Sequence, residues 1–460
     1  MFVCGPKNAG KSTFAKLLGN RLLSVAADNL TNFKGKSQRS PGFALLDLDP
    51  GQPEYSAPGQ LSLNFVEEPS FSPPFVHPVT IGKSQTLRAH ATGALTPAAD
   101  PNHYVTCALD LFEHYRGFLS MNPECPLIIN TPGWILGTGL ELLQELITKM
   151  CPTEVVYMSR EGPLEVVQSL QEASGSLPFY TLPSRGSEYA TRTSAQLRTM
   201  QHLSYFHLSQ MNDKVAWDDQ PLTSIRPLEI RYAGGDPGIL GIMCYGEQPP
   251  PELLADTING SLLAIVVIDD MAAIQGWNAT HKDADNANNI SGHQQPPFMT
   301  TPEALPYLHA LNTPLNPAHS HTLGLLLVRG IDVPRRRLQV LTPIPTRTFE
   351  EILEAKKSII LISGKLDTPG WAYLEGLKRL LCGQERPEGD QSGGTDSSEN
   401  GDSQDGVKED KAEENGGVTT PRYLSGERPW VERLSGSQGR ASGAKVWRVR
   451  RDLGKRRVDS

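Results

Sequence analysis

Nine residues near the start, GPKNAGKST from Gly5 to Thr13, leave a chain like this few folds to choose from. They fit G-x-x-x-x-G-K-[ST] at every constrained position, the pattern of a backbone loop that closes around phosphate. Gly5 and Gly10 permit the tight, partly left-handed turn that points successive N–H groups inward, where a side chain would obstruct. Lys11 supplies a point charge to the β and γ phosphates, and Ser12 offers a hydroxyl to Mg²⁺. Pro6, Lys7, Asn8, Ala9 and Thr13 complete the cradle, and the helix that starts here aims its positive end at the same anions. Phe14, Leu17, Leu18 and Leu22 then recur at helical spacing, as a strand-loop-helix unit requires. Only Met1 to Cys4 precede the loop, against about five residues for a buried strand. Either the first strand is short, or residues before Met1 are missing from the chain as given.

FALLDLDPGQPE, Phe43 to Glu54, is an apolar run ending in two acids one residue apart. Residues i and i+2 of a strand share a face, so Asp47 and Asp49 both point to the side where the phosphates lie. One can help hold Mg²⁺ through water, and the other can take the proton of an attacking hydroxyl. The Pro-rich stretch that follows, with Ile81 to Pro97, reads as a loop-rich insertion whose Lys83, Arg88 and His90 either meet phosphate or form a solvated face. Val105, Leu109, Phe112 and Tyr115 keep a helical period. PLIINTPGWILGTG, Pro126 to Gly139, is a second strand-then-glycine loop, and its Trp134 either stacks on a base or packs beneath the loop. Strand-helix alternation through Met158 argues for a doubly wound parallel sheet, an α/β fold of the P-loop NTPase type. The polar segment from Arg185 to His207 suits a lid whose Arg192 or Arg198 covers the γ phosphate.

The remainder changes character. From Leu222 short alternating strands, such as Leu228 to Tyr232, Ile239 to Tyr245, Leu262 to Ile268, Thr322 to Val328 and Leu338 to Leu341, suggest a smaller β-rich domain over 222–382, with an exposed insertion at 276–300. Residues 383–422, dominated by Gly, Ser, Asp and Glu, lack the apolar surface to fold. A returning strand and a basic tail, which contacts RNA or a partner or is simply solvated, occupy 423–460. A net charge of −8 argues against a general nucleic-acid coat. Six cysteines without C-x-x-C spacing read as reduced thiols, and no stretch is long and apolar enough to span a membrane.

GPKNAGKST, DLDPGQPE, TGALTP, NTPGW and the arginine segment ending in YFH, in that order, resemble the polynucleotide 5′-hydroxyl-kinase family, and DPGQPE with NTPGW resemble its pre-ribosomal-RNA-processing branch. The resemblance implies a kinase domain over 1–221 with its lid at 185–207. It places ATP on Gly5 to Thr13, Asp49 as activator of the RNA 5′-hydroxyl, Asp47 with Ser12 near the metal, Gln52 and Trp134 at the RNA end, and Arg192 or Arg198 in the lid. It further implies a nucleolar location in the nucleus, an rRNA-processing endonuclease as partner, and no membrane. Family members carry a β-rich domain before the phosphate loop, and here nothing precedes Met1, so the expectation is a chain without that domain. The alternatives are a non-catalytic ATP-binding scaffold and a small-molecule or nucleoside kinase.

Overall fold

The computed structural model describes residues 1–32, 42–160, 162–184, 192–211, 214–235, 237–275, 298–309 and 313–384. Its first half runs β1 (Phe2–Cys4), α1 (Lys11–Asn32), β2 (Phe43–Asp47), β3 (Gln60–Val66), β4 (Gln85–Ala91), α2 (Pro101–Leu119), β5 (Leu127–Asn130), α3 (Thr138–Met150), β6 (Val155–Tyr157), α4 (Leu164–Ser174), β7 (Phe179–Thr181) and α5 (Ser194–Phe206). These strands form one sheet in the order β4-β3-β2-β5-β1-β6-β7. The five from β2 to β7 are parallel, and the inner four, covered on both faces, are apolar except where Asp47 and Asn130 end β2 and β5. Successive residues go to opposite layers. Phe2, Leu46, Ile129 and Tyr157 enter the core under α2, α3 and α4, whereas Val3, Phe43, Leu45 and Ile128 enter the one that includes Ala15 and Leu23 of α1. The first strand is indeed short, three residues, and fully buried between β5 and β6.

Two expectations change here. The stretch read as a loop-rich insertion contributes β3 and β4, which pair antiparallel beyond β2, so the sheet is mixed and not wholly parallel. Its Arg88 and His90 do not face phosphate. Arg88 Nε donates to Asp110 (2.9 Å) and its Nη2 to the carbonyls of Pro317 (2.6 Å) and Ser320 (2.8 Å), while His90 Nε2 meets Asp110 at 2.7 Å. Burial drives His90 down to about 4, against the pull of Asp110.

The second half continues with the β8 (Leu208–Met211) and β9 (Lys214–Trp217) hairpin, β10 (Leu228–Arg231), β11 (Gly241–Cys244), α6 (Leu254–Ile258), β12 (Leu262–Ile268), β13 (Phe298–Thr300), β14 (Pro306–Leu308), β15 (Ser320–Asp332), β16 (Arg337–Leu341), α7 (Thr346–Glu354), β17 (Ser358–Ser363) and α8 (Trp371–Gln384). Its sheet has the order β10-β16-β15-β12-β17-β11-β14-β13. One face of this sheet, with Leu325, Leu327 and Ile360, shares a core with Leu203, Tyr205 and Phe206 of α5, Trp371 of α8, and Ala57 and Ala91 of the first half. The two sheets also touch through backbone, at a parallel bridge between Ala94 and Lys365 and a hydrogen bond from Lys365 N to Gly93 O (2.7 Å).

The lid expectation is corrected by the same packing. Residues 185–191 lie outside the described residues, but from Ser194 the segment is a helix whose Met200 to Phe206 are all buried, in the apolar layer against the second sheet. Its polar look misled because Gln201, His202 and Ser204 are buried with the rest. Most of the exposed insertion expected at 276–300, and the acidic loop, returning strand and basic tail beyond 384, fall outside the described residues.

Candidate active site

Strand register assembles the site. Val3 of β1 and Asp47 of β2 both pair with Asn130 of β5, so the phosphate loop, the NTPGW loop and the acidic loop leave the sheet side by side along one edge. The phosphate loop takes the conformation its glycines predict: φ is +142° at Gly5, +63° at Asn8 and +97° at Gly10. A β-carbon on Gly5 would in addition lie 3.0 Å from the backbone nitrogen of Met158. Lys7, Asn8, Ser12 and Thr13 are exposed, Pro6 and Gly10 half-buried, and Ala9 is buried under the turn. Lys11 is only 7% exposed and donates from Nζ to the carbonyl of Pro6 (2.9 Å).

NTPGW lies directly on this loop. A β-carbon on Gly133 would come within 2.6 Å of the Lys7 α-carbon and 2.7 Å of its nitrogen, so only glycine allows the approach. Thr131 Oγ1 donates to Val3 O (2.9 Å), tying the two loops together at their root.

The acidic loop is built by hydrogen bonds that converge on two carboxylates. Asp49 Oδ1 accepts from the backbone N–H of Gly51 (3.0 Å) and Gln52 (3.3 Å), closing a tight turn at the tip. Burial raises Asp49 above the ordinary carboxylate range, opposed first by the charge of Lys11, then by the Gly51 and Gln52 hydrogen bonds and by Lys7. Lys11 answers in kind: burial lowers its pKa, and Asp49 is the largest influence in the other direction. The anion-binding lysine and the acid beyond the strand tip are therefore close enough for each charge to shift the other's ionisation.

Asp47 is placed differently from expectation. It is completely buried, and its oxygens accept from Glu54 N (2.7 Å), Asn130 Nδ2 (3.0 Å) and Asp49 N (3.3 Å). Burial pushes it up to about 7 against those bonds. A carboxylate so occupied organises the loop, and direct contact with a metal would require breaking that set. Asn130 Oδ1, by contrast, has no hydrogen-bond partner among the described residues, and Asn130 lines the same small cavity as Ser12, Lys16 and Glu54. That unpartnered oxygen could accept from a single water bound to a divalent cation reached by the Ser12 hydroxyl. Among the described residues no group of three or more His, Cys, Asp or Glu could hold a metal by itself.

The remaining expected residues separate. Gln52 is half-buried on the Asp49 turn. Trp134 is half-buried, packed on the core of the first sheet, with Gly139 seated against it. Arg198 is held in a forked ion pair by Asp367 of the second half (Nε–Oδ2 2.6 Å, Nη2–Oδ1 3.3 Å), which removes it from the lid role. Arg192 stands beside Thr193, whose side chain caps α5 in a reciprocal pair with Gln196. Residues not singled out from the sequence do much of the holding. Tyr104 donates to Leu48 O (2.9 Å), and Gln201 Nε2 donates to both Pro53 O and Ser56 O (2.8 Å each). The helical period of Val105, Leu109, Phe112 and Tyr115 marks a helix here, but nothing in that spacing marks the neighbouring Tyr104 hydroxyl as aimed at the loop.

A largely parallel sheet with a glycine loop leading into a helix N-terminus, a buried lysine and an acid on the neighbouring loop defines a P-loop nucleotide-binding protein. Residues 5–208 match the family described as mRNA cleavage and polyadenylation factor CLP1 P-loop. Two relatives extend the match. The polynucleotide 5′-hydroxyl-kinase GRC3 of Gibberella zeae is 41% identical over 467 residues, covering 98% of this chain and 60% of its own length. The polynucleotide 5′-hydroxyl-kinase grc3 of Aspergillus oryzae is 42% identical over 409 residues, covering 81% of this chain and 49% of its own. Over most of its length the chain is similar to polynucleotide 5′-hydroxyl-kinases, and it spans between half and three-fifths of the length of these relatives. The solved structure of the wild-type Clp1p–Pcf11p (454–563) complex is similar in fold, with a TM-score of 0.50 at 17% identity over 79% of this chain and 74% of that one.

Proposed function

We propose that the chain transfers the γ-phosphoryl group of ATP to the 5′-hydroxyl of RNA. The observation that supports it above others is the strand register that brings the phosphate loop of Lys11 and the turn of Asp49 to one sheet edge, where their charges influence each other. Backbone N–H groups of Gly5 to Thr13 and the Lys11 ammonium hold and neutralise the β and γ phosphates. The Ser12 hydroxyl would hold Mg²⁺, which would supply charge neutralisation to the transferring phosphate. Asp49, fixed by its own turn, accepts the proton of the 5′-hydroxyl as its oxygen bonds to the γ phosphorus and the bond to the β-phosphate oxygen breaks, leaving ADP. Gln52 and Trp134 border the acceptor side.

The names of the relatives and the order of motifs favour a polynucleotide acceptor. Action on pre-ribosomal RNA in the nucleolus, beside an endonuclease that leaves 5′-hydroxyl ends, is the further reading that DPGQPE and NTPGW support. Incubation with γ-labelled ATP and a 5′-hydroxyl oligoribonucleotide is expected to label the RNA, with Lys11→Ala reducing transfer by at least about a hundredfold. Equal labelling by both proteins would refute the reading. ATP binding without transfer would favour a scaffold, and preference for mononucleosides a small-molecule kinase.

A further inference from the structure

We propose that Glu54 is a positioning residue that fixes the spacing between the phosphate loop and the acid, with Lys16 of α1 as its anchor; the inference rests on the kinase reading above. Glu54 closes the acidic loop, and its side chain turns back to α1. Its Oε1 lies 2.5 Å from Lys16 Nζ and 2.8 Å from His77 Nε2, and all three side chains are at most 18% exposed. Lys16 stands four residues after Ser12, one helical turn further along the face that begins at the phosphate loop. Its Nζ donates also to Ser72 O (2.6 Å), which fixes the ammonium in place. From the other end, Glu54 N donates to Asp47 Oδ2 (2.7 Å), and Asp47 Oδ1 accepts from Asp49 N (3.3 Å).

A continuous polar link therefore runs from α1, through Glu54 and Asp47, to the backbone of Asp49. Its two ends are the two sides of the phosphoryl transfer. A buried ion pair is a poor source of stability, because desolvating two charges offsets most of their attraction. What this pair supplies is a fixed distance. Displacing a reacting group by about 1 Å costs on the order of a hundredfold in rate, so the link bears on turnover more than on nucleotide affinity.

The test uses the full chain, with steady-state kinetics on a 5′-hydroxyl oligoribonucleotide for wild type, Glu54→Gln, Lys16→Met, Lys16→Arg and the double variant Lys16→Met/Glu54→Gln, well below their melting temperatures. The expected result is a roughly 10- to 100-fold fall in kcat for Glu54→Gln and for Lys16→Met, with KM for ATP within about twofold of wild type. The double variant, which leaves no unpaired charge, is expected to lose no more than the worse single variant, and Lys16→Arg to retain most of the activity. Unchanged kcat in folded single variants, a loss confined to KM for ATP, or losses that multiply in the double variant would each overturn the proposal. Hydrogen exchange at the amides of Asp49, Gly51 and Gln52 needs no turnover and is expected to quicken in Glu54→Gln. Unchanged exchange would overturn the positioning role, whereas a wild-type chain that transfers no phosphate would refute the kinase reading instead.

Discussion

At the scale of the residue, the chemistry depends on two groups that burial weakens and proximity restores. Asp49 must be ionised to take a proton, and burial has raised it above the ordinary carboxylate range. On the acid side, therefore, activity rises with pH as Asp49 ionises, and the acid limb of kcat/KM is expected above the range of a free aspartate. Asp49→Asn, which keeps the shape of the turn, is expected to lower kcat by a factor of about 10² to 10⁴ and to abolish that limb while ATP still binds; a persisting limb would assign it to another group. Lys11 and Asp49 were legible in the sequence because a phosphate loop and a strand tip each dictate residue type at fixed spacing. The duty of Asp47 was not. Alternation gives the face to which a side chain points, but not that three N–H donors from Asp49, Glu54 and Asn130 will be waiting there.

At the scale of the element, the parallel strands could be read because two-sided burial writes them as largely apolar runs, whereas Leu262–Ile268 of the second sheet, read as an alternating strand, is apolar and buried at every position. β3 and β4 escaped because the prolines between them dominate the stretch, and α5 escaped because helix propensity does not reveal that Gln201 and Ser204 will be buried by a second sheet. NTPGW was read as a loop with an aromatic, yet its glycine is the element's tighter constraint. Gly133→Ala forces a methyl group to within 2.6 Å of the Lys7 backbone, which cannot yield without moving the phosphate cradle. That variant is expected to raise KM for ATP by about tenfold or more and to weaken nucleotide binding in calorimetry, while its melting temperature falls by only a few degrees. Unaltered ATP affinity would show that the cradle accommodates the shift.

At the scale of the whole molecule, the two sheets are joined by charge as well as by apolar packing. Arg88, on β4, bonds Asp110 of the first half and two carbonyls of the second, and has Asp269 at 3.5 Å. Burial works to raise Asp110, but hydrogen bonds from His114 and His90 and the charge of Arg88 outweigh it and hold the carboxyl well below its usual range. Arg88→Met strands these acceptors, and a loss of about 3 to 5 kcal/mol in chemical denaturation is expected, in one cooperative transition; two separated transitions would mean that the halves melt independently. The backbone bridge between Ala94 and Lys365 carries the same point into practical terms. TGALTP borders both sheets at once, so no cut between the halves falls at a natural seam. Anyone seeking a minimal catalytic fragment must carry the second sheet along, because trimming it would strip the shared apolar layer and leave a raw edge next to the very loops meant to be studied.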